Sequence, residues 1–390
     1  MHILEIPSFF PPYGGLFCLD QAKALASLGH EVRILSNVQV GATVGWHDYL
    51  SLPFSRYEHQ LDGITVYQSY QRGIPKTIRY NVKRWVSIVH SMFGDYIKKY
   101  GRPDILHAHC AKWAGYAAMQ IGKEYGIPYV VTEHLAPVLL EKEFGKAPST
   151  AWQIAPLRKA YEQAGMVLPV SEELVDEMAC YYGKDYRWQS LSNTIDTVFF
   201  CYHQRAPRTG RSFRFCCIAD YSYHKGYDIL FGAYQQLQKR GHRMELHTAG
   251  LFTDSAAFHK ETKRLQLTDV KTYGRIGKQE IRDLLFRCDA LVLASRGEVQ
   301  PLVLLEAMST GIPVVSTECI PQCLRIEDGC TIVPVDNADA LADAMEKLIT
   351  QPLVDGQQLS AKVSAMASPR VVGEKLETVM TDVVAAFRRS

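Results

Sequence analysis

The stretch Ser295–Met308, S-R-G-E-V-Q-P-L-V-L-L-E-A-M, contains two glutamates in an otherwise largely apolar setting. The segment just before it, A-L-V-L-A at 290–294, has the composition of a buried parallel strand. Pro301 suits the first position of a helix, and the residues after it predict a helix that is buried nearly all round. Glu298 would then lie in the turn and Glu306 inside the helix. Because a buried carboxylate is costly unless it is paired or hydrogen-bonded, the two glutamates indicate a binding site.

The predicted position of these glutamates, at the carboxyl end of a strand, is where open α/β sheets bind ligands. The first amides of the helix, at Leu302 and Val303, would add N–H donors at the positive end of the helix dipole, an arrangement that suits phosphate. A purely structural alternative is that Glu298 caps the helix while Glu306 pairs with a distant arginine.

Length and composition favour an ordinary globular protein with two domains. The chain has 390 residues, of which 47% are hydrophobic and 22% charged, and its net charge of +2 favours no class of charged partner. No run of 18 apolar residues predicts a membrane span, and the first residues, M-H-I-L-E-I-P, predict a strand rather than a signal peptide. Ten cysteines form no C-x-x-C pair. We therefore expect a cytoplasmic protein.

Apolar strands alternate with helical patterns along the whole chain, which predicts two domains with parallel sheets. The polar segment 201–212 resembles a linker, so we expect domains at 1–200 and 201–369. Residues 40–62 show no clear pattern and are expected to be irregular.

The loop after the first strand ends in Gly14 and Gly15, which would let the backbone approach a phosphate or a sugar. The alternative is a plain tight turn. The chain contains no G-x-G-x-x-G motif, and the second strand does not end in an acid that could bind ribose. A nicotinamide-dependent dehydrogenase is therefore disfavoured.

Histidines follow two predicted strands of the first domain: His107 and His109 end one strand, and His134 follows the next. The alternating positions of the first two suit packing and hydrogen bonding, and we predict no metal site here. Lys225, at a strand-to-helix junction in the second domain, is well placed for a diphosphate. The chain also lacks a D-x-D motif, which favours a metal-independent site.

Glu298 and Glu306, with seven residues between them, resemble the paired-glutamate motif of retaining nucleotide-sugar glycosyltransferases of the GT-B fold, and most closely those of glycosyltransferase family 4. Other features agree: G-I-P-V-V-S-T at 311–317, K-G at 225–226, and L-S-N-T-I-D at 191–196, which is similar to the family's P-N-G-V-D. This resemblance covers almost the whole chain. It implies two Rossmann-like domains facing across a cleft and a final helix, 370–390, that crosses back onto the first domain.

The resemblance also implies that a nucleoside-diphosphate sugar binds mainly to the second domain. Glu306 would bind the ribose hydroxyls and Glu298 the hydroxyls of the transferred sugar. Lys225 would stabilise the leaving diphosphate, together with the amides of Leu302 and Val303. No metal or other cofactor is implied.

From the acceptor-side first domain, the resemblance implies that His134 contacts the sugar, while Gly14 and Gly15 join the donor site. His134, Lys225 and Glu298 are thus the candidate catalytic residues. Transfer would proceed with retention of configuration, onto a glycan or lipid-linked acceptor in the synthesis of cell-surface polysaccharide. The choice between UDP and GDP donors, the sugar and the linkage stay open.

One position departs from the family pattern: Asp220 stands where an arginine normally precedes the lysine. We expect Asp220 to turn away from the diphosphate, and Arg275 or Arg296 to supply the missing charge. Two alternatives to transfer remain, namely a nucleotide-sugar epimerase of the same fold and a non-catalytic subunit that binds a nucleotide sugar.

A predicted amphipathic helix, 78–97, lies in a strongly basic segment: between Arg72 and Arg102 there are eight lysines and arginines and one acid, Asp95. Its apolar stripe should pack on the first sheet. Because relatives often glycosylate lipid-linked acceptors, we expect the basic surface to contact anionic lipid at the inner face of the plasma membrane. A solvated basic face is the alternative.

Overall fold

The computed structural model describes residues 1–12, 14, 16–41, 46–51, 55–144, 152, 154–205, 210–351 and 354–389. The chain forms two compact units, Met1–Thr194 with Pro369–Ser390, and Ile195–Ser368. The division comes a few residues before the linker expected from the sequence. Ile195 and Phe200 explain the difference, because both are buried in the apolar core of the second unit.

The first unit is built on a seven-stranded sheet. Its strands are β1 His2–Pro7, β2 Glu31–Gly41, β3 Tyr57–Leu61, β4 Ile64–Gly73, β5 Ile105–His109, β6 Tyr129–Glu133 and β7 Met166–Pro169. Its helices up to the division are α1 Leu16–Ser27, α2 Trp46–Ser51, α3 Ile78–Tyr100, α4 Tyr116–Tyr125, α5 Pro137–Phe144, α6 Ile154–Glu162 and α7 Glu173–Tyr182. The strand order is β3-β4-β2-β1-β5-β6-β7. The direction of winding therefore reverses between β1 and β5, at the point where such sheets bind ligands.

The segment expected to be irregular, residues 40–62, contains the helix α2 and the strand β3. β3 pairs antiparallel with β4, whereas the other neighbouring strands of this sheet run parallel. The two strands join at Asp62-Gly63, and both of these residues have positive φ, 48° and 83°. Asp-Gly is a favoured two-residue hairpin turn for this reason, so the sequence did contain a signal for the hairpin.

Helix α3 packs its apolar stripe against the sheet, and Trp85 anchors it. The indole N–H of Trp85 donates to the carbonyl oxygen of Asn37 on β2, at 2.6 Å. Val89, Met92 and Phe93 on the same stripe are fully buried. The opposite side of α3 remains exposed and carries the basic residues.

After the second unit the chain returns to the first unit in a last helix, α14 Pro369–Phe387, which packs against α1. A Cβ atom at Gly373 would lie 3.2 Å from the carbonyl oxygen of Ala24, so the two helices approach closely there. Glu377 also accepts a hydrogen bond from His30 at 2.9 Å. The expected return of the final helix to the first domain is confirmed.

The second unit is built on six parallel strands in the order β10-β9-β8-β11-β12-β13. They are β8 Phe213–Ile218, β9 Met244–Ala249, β10 Val270–Thr272, β11 Ala290–Leu293, β12 Val314–Thr317 and β13 Cys330–Val333. The helices are α8 Tyr227–Lys239, α9 Ala256–Arg264, α10 Lys278–Arg287, α11 Leu302–Ser309, α12 Ala338–Thr350 and α13 Gly356–Ala367. The winding reverses between β8 and β11, so the loops after these two strands mark this unit's ligand-binding position.

Candidate active site

The loops that follow β8 and β11 touch at Gly226. This glycine has a φ of +64°, and a Cβ atom there would lie only 1.8 Å from the carbonyl oxygen of Ala294. Any other residue would push the two loops apart, so glycine is required by both conformation and space. The contact places Lys225, directly before Gly226, beside the loop that carries Glu298.

Lys225 and Glu298, two of the residues singled out from the sequence, form a direct ion pair. Lys225 Nζ lies 2.6 Å from Glu298 Oε1, and the same oxygen accepts a hydrogen bond from the Ser295 hydroxyl at 2.6 Å. The Glu298 side chain is 9% exposed and that of Lys225 28%. The Glu298 carboxylate is thus largely buried and bonded to the buried Ser295, whereas solvent or a ligand can still reach the Lys225 ammonium.

Helix α11 begins one residue later than expected, so that Pro301 is its N-cap and Leu302 its first residue. The expectation that this helix is buried all round was wrong. Leu302, Val303 and Glu306 are only partly buried and share one face, because residues three and four apart are neighbours on a helix. The apolar side that includes Leu304 and Leu305 is fully buried. Glu306 is thus a reachable carboxylate rather than a core residue.

The amides of Leu302 and Val303 lie in the first turn of α11, where N–H groups have no acceptor within the helix. They lie on the face that carries Glu306 and follow the loop that holds Glu298. The second unit therefore combines one lysine, two carboxylates and the positive end of a helix dipole at the carboxyl edge of its sheet. This set can bind a ligand that carries both a diphosphate and several hydroxyl groups.

Asp220 has a structural partner. Its Oδ1 accepts a hydrogen bond from the backbone N–H of Leu251 at 2.8 Å, which ties the loop after β8 to the loop after β9. The two loops also meet at Gly250, where a Cβ atom would lie 2.2 Å from the carbonyl oxygen of Ala219. The hydrogen bond to Leu251 thus gives Asp220 a structural role at the position where the family resemblance implies an arginine.

Arg296, one of the two residues expected to supply the missing positive charge, makes several contacts within the protein. Its guanidinium bonds to Asp228 and to Asp336, each at 2.7 Å, and lies 3.7 Å above the ring of Tyr223. Its backbone N–H donates to the carbonyl oxygen of His224 at 2.8 Å. Arg296 therefore binds the β8 and β11 loops together. Arg275, the other candidate, is exposed after β10.

The end of β12 supports the β11 loop through residues that the sequence analysis did not select. The Thr317 hydroxyl donates to the Ser295 carbonyl oxygen at 2.6 Å, and the Cys319 thiol lies 3.3 Å from the same oxygen. Burial raises the pKa of Cys319 to about 11, so the thiol is neutral beside Glu298. Buried hydroxyls after a strand are common, and no sequence signal set these apart.

In the first unit, Gly14 has a φ of +109°, a backbone conformation that favours glycine, with no heavy atom within 4 Å of an added Cβ. It is exposed in the loop between β1 and α1. Gly15 lies outside the described residues.

His134 follows β6 in the first unit, and its ring stacks on Phe17 of α1 with the ring centres 3.9 Å apart. Its Nε2 lies 3.3 Å from Nδ1 of His109, whose Nε2 in turn lies 2.7 Å from the Glu5 carboxylate. Glu5 and His109 are both fully buried. A continuous hydrogen-bonded chain thus runs from Glu5 through His109 to His134, and we call it the Glu5 relay.

The proton positions in the Glu5 relay follow from the charges. Burial and the neighbouring His107 lower the pKa of His109 to about 4, so His109 is neutral at pH 7. Burial alone would raise the pKa of Glu5, but the two imidazoles beside it lower that pKa to about 2. The ionised Glu5 then accepts from His109 Nε2–H, which leaves His109 Nδ1 as the acceptor for His134 Nε2–H. The relay fixes both the orientation and the tautomer of His134.

Glu5, His107 and His109 also form a cluster whose potential ligand atoms lie within 4.8 Å of one another. The Glu5 carboxylate is 2.8 Å from His107 Nδ1, and His107 Nε2 is 2.6 Å from the Thr132 hydroxyl. The contacts of His107 Nε2 with Thr132 and of His109 Nε2 with Glu5 are hydrogen bonds, whereas the contact between Glu5 and His107 Nδ1 is close but lacks hydrogen-bond geometry. We therefore interpret the cluster as a compact polar network inside the first unit.

Comparison with known proteins gives the same assignment for both units. Residues 14–199 match the family model described as Glycosyltransferase Family 4, and residues 212–351 match the one described as Glycosyl transferases group 1. The chain is 26% identical over 370 residues to glycogen synthase of Mycobacterium tuberculosis, with 90% of this chain and 87% of that protein covered. It is 25% identical to TuaC of Bacillus subtilis, a glycosyltransferase provisionally assigned to teichuronic acid biosynthesis, over 82% of this chain and 81% of that one.

The fold has solved counterparts. Anabaena HepE, crystallised with UDP-glucose, superposes with a TM-score of 0.69 at 16% identity, covering 98% of this chain and all of that one. The two sheet-based units described above are those of the GT-B fold. The chain belongs to glycosyltransferase family 4, and it is a glycosyltransferase with the GT-B fold.

Proposed function

We propose that the protein moves a sugar from a nucleoside-diphosphate sugar to a glycan or a lipid-linked acceptor, with retention of anomeric configuration. One observation carries the proposal: Lys225 and Glu298 meet at the point where the second sheet reverses, beside the free amides of α11. A similar fold holds UDP-glucose in HepE, and glycogen synthase, a relative, is named for building a polysaccharide.

Each group in the second unit has a separate task in this proposal. Glu306 accepts hydrogen bonds from the two ribose hydroxyls of the nucleotide. Glu298, fixed by the Ser295 hydroxyl, accepts from hydroxyls of the transferred sugar. Lys225 and the amides of Leu302 and Val303 stabilise the negative charge that develops on the diphosphate.

The ion pair with Glu298 explains how Lys225 is kept in place. Glu298 holds the ammonium at the carboxyl edge of the sheet, and an arriving diphosphate offers it further acceptors. The bond between the sugar's anomeric carbon and the diphosphate then breaks, and the acceptor hydroxyl attacks on the same face. The acceptor's proton passes to the leaving phosphate oxygen. His134, fixed by the Glu5 relay, contacts the sugar from the first unit.

Titration calorimetry and turnover together test this division of tasks. Glu306→Ala should weaken the binding of UDP or GDP at least tenfold, because hydrogen bonds to a carboxylate contribute about 1.5–3 kcal/mol each. Glu298→Ala should lower turnover with little change in nucleotide affinity. An equal loss of nucleotide affinity in both variants would contradict the assignment. Conversion of the donor to an epimer without acceptor would identify an epimerase instead.

The basic segment supports a peripheral contact with anionic lipid at the inner face of the plasma membrane, and we include this location in the proposal. No helix among the described residues is both long and apolar enough to cross a membrane. Each lysine or arginine near an anionic surface contributes about 1 kcal/mol. Changing Arg79, Lys83, Arg84, Lys98 and Lys99 together to Gln should abolish sedimentation with anionic vesicles. Wild-type protein that ignores such vesicles at low salt would exclude the contact.

A further inference from the structure

Two adjoining cavities of the first unit form a groove beside α3. The first, about 510 Å³, lies at the reversal point of the sheet and is lined by Phe9 after β1 and by Trp85 of α3, among others. The second, about 640 Å³, continues along α3 towards α4 and α6 and is lined by His90 and Tyr116, among others. Both are lined by Val82 and Trp113. We call the two cavities together the α3 groove.

The charged side chains that line the α3 groove among the described residues are basic. Lys76 and Lys112 line the first cavity and Lys83 the second, and among the described residues neither cavity is lined by an aspartate or a glutamate. Lys76 and Lys83 are exposed. The imidazole of His90 does contact an acid behind it, Glu124, at 2.9 Å. Anionic groups on a ligand would therefore find cations in this groove, and no carboxylate among the described lining residues would repel them.

Two other cations of the basic segment line neither cavity and contact the protein's own surface instead. Arg72 donates to the carbonyl oxygens of Tyr49 and Leu50, and Lys99 pairs with Glu58 at 2.7 Å. Some of the basic residues noted in the sequence thus bind the protein's own surface, and others, near the start of α3, face the groove.

The walls of the α3 groove are aromatic. The rings of Trp113 and Trp152 lie nearly parallel, 10° apart with 6.2 Å between centres, and the Arg79 guanidinium lies 5.0 Å above Trp152. The apolar C–H face of a sugar ring packs on such flat rings, while amide side chains such as Gln39 and Gln120, which line the two cavities, can bond its hydroxyls. Each cavity falls in the range of about 300–1,000 Å³ that holds a whole small ligand. The groove can thus hold more than one sugar residue.

We propose that the α3 groove binds an acidic oligosaccharide, whose sugar rings pack on Trp113 and Trp152 and whose carboxylates meet Lys76, Lys83 and Lys112. The inference rests on the proposed function, since the groove holds the part of the acceptor chain that does not react. It goes beyond that function because it gives the acceptor a chemical class: a chain of several sugars with negative charges.

The test uses tetragalacturonate and its neutral counterpart, the fully methyl-esterified tetragalacturonate, titrated calorimetrically into the full-length protein at 50 mM salt. Wild type should bind tetragalacturonate at least tenfold more tightly than its methyl ester. Lys76→Gln/Lys83→Gln should remove at least tenfold of that affinity. The control Lys98→Gln/Lys375→Gln removes the same charge from exposed positions outside both cavities and should change the affinity less than twofold.

A second pair of variants tests the aromatic wall. Trp113→Leu should weaken the binding of both tetrasaccharides, whereas Trp188→Leu, which changes a 41% exposed tryptophan outside the groove, should weaken neither. Unfolding midpoints of both variants show whether the fold is kept. If Trp113→Leu unfolds, the milder Trp113→Phe should keep part of the affinity.

Three outcomes would overturn the inference: equal binding of the two tetrasaccharides, no binding of tetragalacturonate at millimolar concentration, or equal losses in the lysine pair and its control. Sedimentation with phosphatidylglycerol vesicles that needs Lys76 and Lys83, without saccharide binding, would reassign these cations to a membrane and would also overturn it. Binding of UDP is measured separately on each variant. Failure of the nucleotide site is thereby distinguished from failure of the groove.

Discussion

At the scale of single residues, the ion pair between Lys225 and Glu298 determines what the second unit can do. Both partners lie at the carboxyl edge of the sheet, and Gly226 sets their approach by allowing its loop within contact distance of Ala294. The lysine keeps a 28% exposed side chain, so it can reach a ligand while it neutralises the buried acid. We propose that the pair is held ready for an anionic group in addition to stabilising the fold.

Lys225→Gln should therefore reduce kcat/KM about 10²- to 10³-fold, the cost of losing one preorganised donor to developing charge, about 3–4 kcal/mol. The unfolding midpoint should change little, because Glu298 keeps its hydrogen bond from Ser295. Steady-state transfer and thermal unfolding measure the two effects. As a control, Lys278→Gln breaks an exposed ion pair with Asp196 in the same unit and should leave both unchanged. Activity of Lys225→Gln within threefold of wild type would remove Lys225 from the mechanism.

The Glu5 relay predicts how stability depends on pH. The folded chain keeps His109 neutral down to about pH 4, whereas the unfolded chain takes up this proton near pH 6.5. Between these values the unfolded state binds more protons, so the free energy of unfolding falls as the pH falls through this window. Glu5, whose pKa is lowered to about 2, adds a further loss below pH 4.5.

Urea unfolding at pH 7 and pH 5 measures this effect. His109→Gln should lose about 2 kcal/mol less stability than wild type between the two pH values, since it has no imidazole to protonate. His259→Gln, which removes an exposed imidazole on α9, should behave as wild type. If wild type and His109→Gln lose the same stability, burial does not keep His109 neutral in the folded chain.

At the scale of helices and strands, Arg205 connects two helices of the second unit. It lies in the segment read from the sequence as a linker, yet it donates to the carbonyl oxygens of Leu285, Cys288 and Thr310 at 3.0–3.2 Å. These carbonyls lie at the carboxyl ends of α10 and α11, where the helices leave acceptors unsatisfied. Arg205 thus fixes the far end of the helix whose first turn faces the candidate site.

Arg205→Ala should lower the free energy of unfolding by about 2–4 kcal/mol, because three partly buried carbonyl groups lose a charged donor. Denaturant unfolding measures this loss. Arg240→Ala is the matched control: its ion pairs with Asp343 and Glu346 are exposed, so it should lower the free energy of unfolding much less than Arg205→Ala. Similar effects of the two substitutions would mean that residues 201–205 act only as a linker.

Strand β2 shows why some elements could not be predicted. The strand runs through three polar residues, Ser36, Asn37 and Gln39. It continues to Gly41 because Asn37 bonds to Ser69 and Gln71 on β4, and Gln71 bonds to Gln39. These bonds join residues that lie more than thirty positions apart. A sequence pattern read locally contains no sign of such a partner.

At the scale of the whole molecule, the alternation of strands and helices was sufficient to predict two parallel sheets, because such connections have few alternatives. The sequence was enough to select Lys225 and Glu298, because each is a charged residue that follows a predicted strand. It could not predict that the two side chains touch, because their contact depends on β8 and β11 being neighbours in the sheet. The partial exposure of Glu306 was missed for a related reason. Composition alone cannot show which face of α11 stays uncovered.

We predict that transfer needs no metal ion, because a lysine of the protein supplies the positive charge for the diphosphate. The sequence has no D-x-D motif, and the three-residue cluster with metal-ligating geometry among the described residues, Glu5 with His107 and His109, is fully buried within the first unit. Lys225 instead supplies a fixed positive charge for the diphosphate.

Transfer measured in 5 mM EDTA should stay within twofold of transfer in Mg²⁺. Mg²⁺ should also fail to restore Lys225→Gln, because the two carboxylates of the site, Glu298 and Glu306, are assigned in our proposal to hydroxyl groups of the ligand rather than to a metal ion. Loss of transfer on chelation, with recovery on adding Mg²⁺, would show that a metal ion and not Lys225 carries the leaving group's charge.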